Sequence, residues 1–120
     1  MEFKAHHRFA DMSSRKLRPF AALIRGRPVD EALELLRYLP NRSARLLEAV
    51  VKSALGNAED LRESKGLALD IDDLYVSESR IDGGPMLKRI MPRARGTAYP
   101  IKRRYAHIHV TLASPDEAAE

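Results

Sequence analysis

Apolar residues recur at intervals of three and four through the first half of the chain and at intervals of two after residue 66. In "SSRKLRPFAALIRG", Leu17, Phe20 or Ala21, and Ile24 mark one helical face, with Ser13 or Ser14 placed to cap its start and Gly26 to stop it. Pro19 fits this helix only within the first turn, where a missing N–H costs little. In "PVDEALELLRYLP", Val29, Ala32, Leu33, Leu36 and Leu39 form a second stripe, opened by Pro28 and the acids Asp30 and Glu31 and closed by Pro40. A third and longer pattern runs from Asn41 to about Lys65 through Ala44, Leu47, Val50, Val51, Ala54, Leu55, Ala58 and Leu61, with Gly66 as its stop. Gly56 interrupts it at a cost of roughly 1 kcal/mol against Ala, which predicts a close helix or backbone approach there.

The period-two segments predict strands. "EFKAHHRFADM" alternates loosely, offering Phe3, Ala5 and Phe9 to one face of an extended segment or edge strand. Leu69 and Ile71, then Leu74 and Val76, begin a second strand, and "YAHIHVTLA" puts Ala106, Ile108, Val110 and Leu112 on one face of a third. If the strand at 74–82 pairs antiparallel with that at 105–112, everything between is one long hairpin. At ~3.3 Å per residue its rising half, 83–95, reaches on the order of 40 Å. Pro92 and Pro100 are tolerable in such a ribbon if their nitrogens face outward, and Gly96 can supply a positive φ at the tip. An isolated two-stranded ribbon is marginal in water, so this one is expected to take its order from a partner.

Charge identifies the kind of partner. The chain carries +4 overall, but residues 1–28 carry +5, 29–82 carry −5, 83–104 carry +7 without a single acid, and 105–120 carry −3. Lys88, Arg89, Arg93, Arg95, Lys102, Arg103 and Arg104 lie on both sides of the tip and would project around the ribbon in several directions, which suits an arm threaded among RNA phosphates. Met86, Leu87, Ile90 and Met91 would then pack on sugars, bases or other proteins. Arg15, Lys16 and Arg18 surround a helix start able to hold phosphate, and Arg25 and Arg27 close that helix against its dipole; all five are RNA-binding candidates.

Other chemistries find little support. The chain has 120 residues, room for one modest core, with no cysteine for disulfides, thiolate metal sites or thiol nucleophiles. No apolar run is long enough for a membrane span, and "MEFKAHHRF" lacks a signal peptide's apolar stretch, so a soluble intracellular protein is expected. His107 and His109 share a strand face that His6 and His7 could join, but they read as polar-face histidines against RNA or solvent rather than a metal site. "DIDD" at 70–73 lacks the glycine and ligand spacing of a calcium loop. No catalytic residue, metal or cofactor is expected.

"GPMLKRIMPRARGTA", preceded by "DIDDLYVSESRIDG" and followed by "RYAHIHVTL", resembles the family of bacterial large-subunit ribosomal protein twenty-two. The resemblance extends over nearly the whole chain, through "SSRKLRPFAALIRGRPVDEALELL" and "ALGNAEDL" in the same order. It implies a non-catalytic, cytoplasmic, ribosome-bound protein, one copy per subunit, with a globular α+β body near the exit of the nascent-chain tunnel. It also implies a hairpin running through 23S ribosomal RNA, its tip (Arg93, Ala94, Arg95, Gly96, Thr97) facing the nascent polypeptide beside large-subunit protein four, and a part in early subunit assembly. Thr97, Tyr99 and Pro100 depart from the family's usual residues, so the descending strand is expected to be less regular. The resulting expectation is a single α+β domain over 1–112, three helices packed on a small antiparallel sheet. Its extended arm spans about 83–104, and 113–120 form a disordered acidic tail. A free RNA-binding module or ribosome assembly factor is the alternative.

Overall fold

The computed structural model describes residues 2–66 and 71–115. Strand β1 (Glu2–Ala10) leads into helices α1 (Ser14–Ile24), α2 (Val29–Tyr38) and α3 (Arg42–Lys65). After a short 3₁₀ turn (Ile71–Asp73) come β2 (Tyr75–Pro92) and β3 (Ala98–Ala113). The three strands form one antiparallel sheet in the order β1-β3-β2, with all three helices against one face: α3 across β1 and β3, α1 across β2 and β3, and α2 beside α3.

The core is aliphatic and sits where the two periods meet. Leu17 and Ile24 of α1, Leu36 of α2 and Leu47 and Val51 of α3 pack on Phe3, Val76, Ile108, Val110 and Leu112 of the sheet, all of them buried. The alternation read at Ala106, Ile108, Val110 and Leu112 is observed: all four face the helices. α3 ends at Gly66, whose φ of 61° gives the left-handed turn that glycine accepts without cost.

β2 has one edge against β3 and the other covered at its start by the α1–α2 connection. The Gly26 N–H donates to the Val76 carbonyl at 2.8 Å, the Val76 N–H to the Arg27 carbonyl at 2.9 Å, and the Val29 N–H to the Leu74 carbonyl at 3.1 Å. Gly26, at φ 81°, makes this turn. Buried strand donors and acceptors are thus satisfied by a loop rather than by a fourth strand.

Several local expectations need correction. Phe9 does not join Phe3 and Ala5: an irregularity between His7 and Ala10 reverses the alternation, so Ala10 is buried while Phe9 is 58% exposed at φ 59°. Pro19 is the sixth residue of α1, past the first turn, and it is tolerated because it and Arg15, whose carbonyl it leaves without a helical partner, both face solvent. Gly56 meets no close neighbour among the described residues; it lies on the exposed side of α3. Ile71 belongs to the 3₁₀ turn, β2 starts at Tyr75, and Leu69 falls outside the described residues. The descending strand is not irregular either: β3 is paired without a break from Ala98 opposite Pro92 to Arg104 opposite Met86. Ala113 and Ser114, at the start of the expected tail, are buried, and 116–120 lie outside the described residues.

Candidate nucleic-acid interface

β2 and β3 outrun the body together. The molecule measures 67 × 26 × 23 Å, and from Met86 to Pro100 every residue of the resulting ribbon is exposed. The register places Met86, Lys88, Ile90 and Pro92 opposite Arg104, Lys102, Pro100 and Ala98, and Leu87, Arg89 and Met91 opposite Arg103, Ile101 and Tyr99. Since directly opposed residues share a face, Lys88, Lys102 and Arg104 project to one side while Arg89 and Arg103 project to the other. The cations therefore surround the ribbon, as the sequence suggested.

The tip is a tight turn. The Arg93 N–H donates to the Thr97 carbonyl at 2.7 Å, and the Thr97 hydroxyl donates to the Ala94 carbonyl at 2.8 Å. Arg95 (φ 64°) and Gly96 (φ 70°) are both left-handed, a conformation that is free for glycine and costs roughly 1–2 kcal/mol for an arginine. Counting back from the Arg93–Thr97 pair, the alternation of an antiparallel ladder puts Pro92 and Pro100 at positions whose backbone groups point away from the partner strand. Neither proline therefore removes a ladder bond.

At its base the ribbon turns through a bulge between Gly83 and Met86. Hydrophobic period alone misses Gly84, the residue that this bulge requires, although "GGP" between two period-two segments is the local signal for one. A cleft of about 300 Å³ opens beside the bulge, lined by Ser14, Gly83, Gly84, Met86, Arg104 and Tyr105. It brings the start of α1 next to the base of the arm. Arg103 is tied to the body by Asp11 at 3.3 Å, and Arg42 approaches the same carboxylate at 3.7 Å. Lys88, Arg93, Arg95, Lys102 and Arg104 form no ion pair among the described residues.

The α1 candidates divide. Ser13 occupies the N-cap with extended φ and ψ, but its side chain makes no capping bond, and the first turn holds no acid. Arg15, Lys16 and Arg18 are exposed around that turn. Arg25 and Arg27 are instead engaged within the body. Arg25 donates to the Ser79 carbonyl at 2.6 Å, and Arg27 donates to the Leu23 carbonyl at 2.8 Å and to Glu31 at 2.5 Å.

The sheet face away from the helices carries His6, His107 and His109, whereas His7, paired with the buried Ile108, lies on the helix side. His6, His109 and Arg80 stand in one row across the three strands, with the His6 and His109 rings 5.7 Å apart. His109 Nε2 lies 3.2 Å from Asp82, whose carboxylate also meets Arg80 Nε at 3.3 Å. Burial, with the nearby Arg80 guanidinium, lowers the His109 pKa despite the Asp82 carboxylate, so this imidazole favours its neutral form. His107 Nδ1 accepts the Phe9 N–H at 3.1 Å, which fixes its tautomer and holds the strained Phe9 turn.

A small α+β body extending an acid-free cationic ribbon far beyond its own core has the build of a scaffold protein embedded in nucleic acid. Residues 5–113 match the sequence profile of the family described as Ribosomal protein L22p/L17e. The large ribosomal subunit protein uL22 of Rhodopirellula baltica is 50% identical over 111 residues, covering 92% of this chain and 93% of that protein. The protein of the same name from Myxococcus xanthus is 49% identical over 94% of this chain and 96% of its own length. That from Desulforamulus reducens is 47% identical over 98% and 99%. The chain belongs to the L22p/L17e family of ribosomal proteins, a structural family and not one of enzymes.

Proposed function

We propose that this chain is a structural constituent of the large ribosomal subunit, bound in the cytoplasm to 23S ribosomal RNA, with its body near the tunnel exit and its arm along the tunnel wall. The observation that carries this reading is the arm itself. It has seven cations, no acid, no covering layer, and Lys88 directly opposite Lys102. Like charges opposed across a ribbon destabilise it, and phosphate on both sides removes that repulsion while releasing counterions. Lys88, Arg89, Lys102, Arg103 and Arg104 are the RNA contacts of the shaft. Arg93, Ala94, Arg95, Gly96 and Thr97 form the end that faces the nascent polypeptide and the neighbouring tunnel protein.

Arg15, Lys16 and Arg18 add a second contact where the uncapped first turn of α1 meets the arm base. Arg25 and Arg27 contribute to RNA binding mainly by supporting that surface, since their donors are engaged within the body. The test is sedimentation of a cell lysate at moderate salt. The protein is expected in the large-subunit fractions, and its recovery in the soluble fraction would favour a free RNA-binding module or assembly factor instead.

A further inference from the structure

One face of the arm continues the helix-free side of the sheet, and by register it carries Leu87, Arg89, Met91, Tyr99, Ile101 and Arg103. Met91 and Tyr99 oppose each other there, 41% and 56% exposed. Tyr99 makes no hydrogen bond or ring contact among the described residues. Arg89 belongs to the next pair on the same face, which makes it the diagonal neighbour of Tyr99 at a Cα separation of roughly 7–8 Å; one Nη donates to the Lys88 carbonyl at 3.1 Å, and the guanidinium keeps its other donors for an anion. An open aromatic ring, backed by a polarizable thioether and flanked by a guanidinium on an acid-free ribbon, is a surface built for a π-face beside negative charge.

We propose that Tyr99, backed by Met91 and flanked by Arg89, is a stacking platform for one unpaired base of the large-subunit RNA. The assignment rests on the ribosomal reading above. A base brings its own phosphate to Arg89, whereas a passing peptide offers the guanidinium no fixed anion. A paired base would keep its faces inside the duplex stack, so the occupant is a loop or bulge nucleotide. Stacking of this kind adds affinity without releasing counterions, which separates it from the lysine and arginine contacts of the shaft.

The experiment titrates the full chain and its Tyr99→Leu and Tyr99→Phe variants with transcribed large-subunit RNA across a salt series. Tyr99→Leu is expected to weaken binding about 5- to 150-fold, the range for losing one stacked base, with the slope of log affinity against log salt unchanged. Tyr99→Phe, which keeps the ring, is expected to bind like the parent. Equal affinity for the leucine variant, or an equal loss for both variants, overturns the platform. So does a fall in the salt slope, which would mean that the arm had moved. If Tyr99→Leu leaves RNA binding intact but alters crosslinking of the arm to a stalled nascent chain, the occupant is peptide and the proposal is wrong. Absence of salt-dependent binding by the parent chain would sink the ribosomal reading along with it, an outcome distinct from all the others.

Discussion

Gly84 and Tyr105 meet backbone to backbone at the base of the arm: a Cβ built on Gly84 would stand 2.9 Å from the Tyr105 carbonyl oxygen and 3.1 Å from its carbonyl carbon. Those atoms are main chain and cannot swing aside. Gly84→Ala is therefore expected to strain the bulge and lower stability by about 1–3 kcal/mol, read from urea unfolding of the full chain. Gly83→Ala is the control, because nothing lies within 4 Å of the Cβ it would add. Equal midpoints for the two variants would show that the bulge relaxes freely.

Ser79 faces the core side of β2 opposite Val110, fully buried, and its hydroxyl finds no hydrogen-bond partner among the described residues. Its backbone carbonyl is the group that holds Arg25, so the side chain is dispensable to that contact. A buried unpaired hydroxyl costs about 1–3 kcal/mol. Ser79→Ala is expected to raise the melting temperature and to leave RNA binding unchanged. A lower melting temperature would mean that the hydroxyl has a partner after all.

How much of this is readable from the residues depends on whether a feature is periodic. Ala106, Ile108, Val110 and Leu112 reveal their face because every second residue of a half-buried strand must be apolar, and the stripes of α1, α2 and α3 follow the same logic at 3.6. Phe9 escapes the pattern because a single irregularity after His7 reverses the parity of all that follows, and only the three-dimensional pairing with β3 reveals it. Two glycines mark the same limit from opposite sides. Helical context suggests tight packing at Gly56, which faces open space, whereas Gly84 resembles a spare turn residue and is wedged against Tyr105. Of the interface, the charge of the arm is plain in the sequence. The engagement of Arg25 and Arg27 within the body is not, since their partners Ser79 and Leu23 offer backbone carbonyls that no sequence pattern marks.

Glu48 is the one buried acid among the described residues, gathered by Lys52 at 2.9 Å, Arg45 at 2.5 Å and Arg37 at 3.5 Å. Arg45 also donates to the Arg37 and Leu39 carbonyls, so the cluster closes the corner between α2 and α3. The hydrogen bond from Lys52, with the charges of Lys52, Arg45 and Arg37, outweighs burial and holds this carboxyl below its ordinary 4.5. A folded-state pKa below the unfolded value stabilises the fold above the unfolded pKa, and that contribution disappears as pH falls through the folded value. Glu48→Gln is thus expected to destabilise at pH 7, with the gap from the parent narrowing as the pH drops below about 4.5. A gap independent of pH would mean that the loss is one of packing and not of charge.

The opposition of Lys88 and Lys102 sets the stability of the free arm against its binding. Lys88→Glu converts a repulsive cross-strand pair into an attractive one, a gain of roughly 0.2–1 kcal/mol over a neutral pair, local to the ribbon. In the isolated protein, the amides of 86–100 are expected to exchange quickly in the parent, because the ribbon has no covering layer, and more slowly in the variant. Toward ribosomal RNA the order reverses: the variant is expected to bind more weakly, with a salt slope shallower by about one unit for the lost phosphate contact. If the shaft lies among phosphates and the tip faces the lumen, as proposed above, a triple change of Lys102, Arg103 and Arg104 to Ala should remove more slope per charge lost than Arg93 and Arg95 to Ala. Slower exchange without weaker binding would show that Lys88 points away from RNA, and weaker binding with unchanged exchange would show that the ribbon is already ordered on its own.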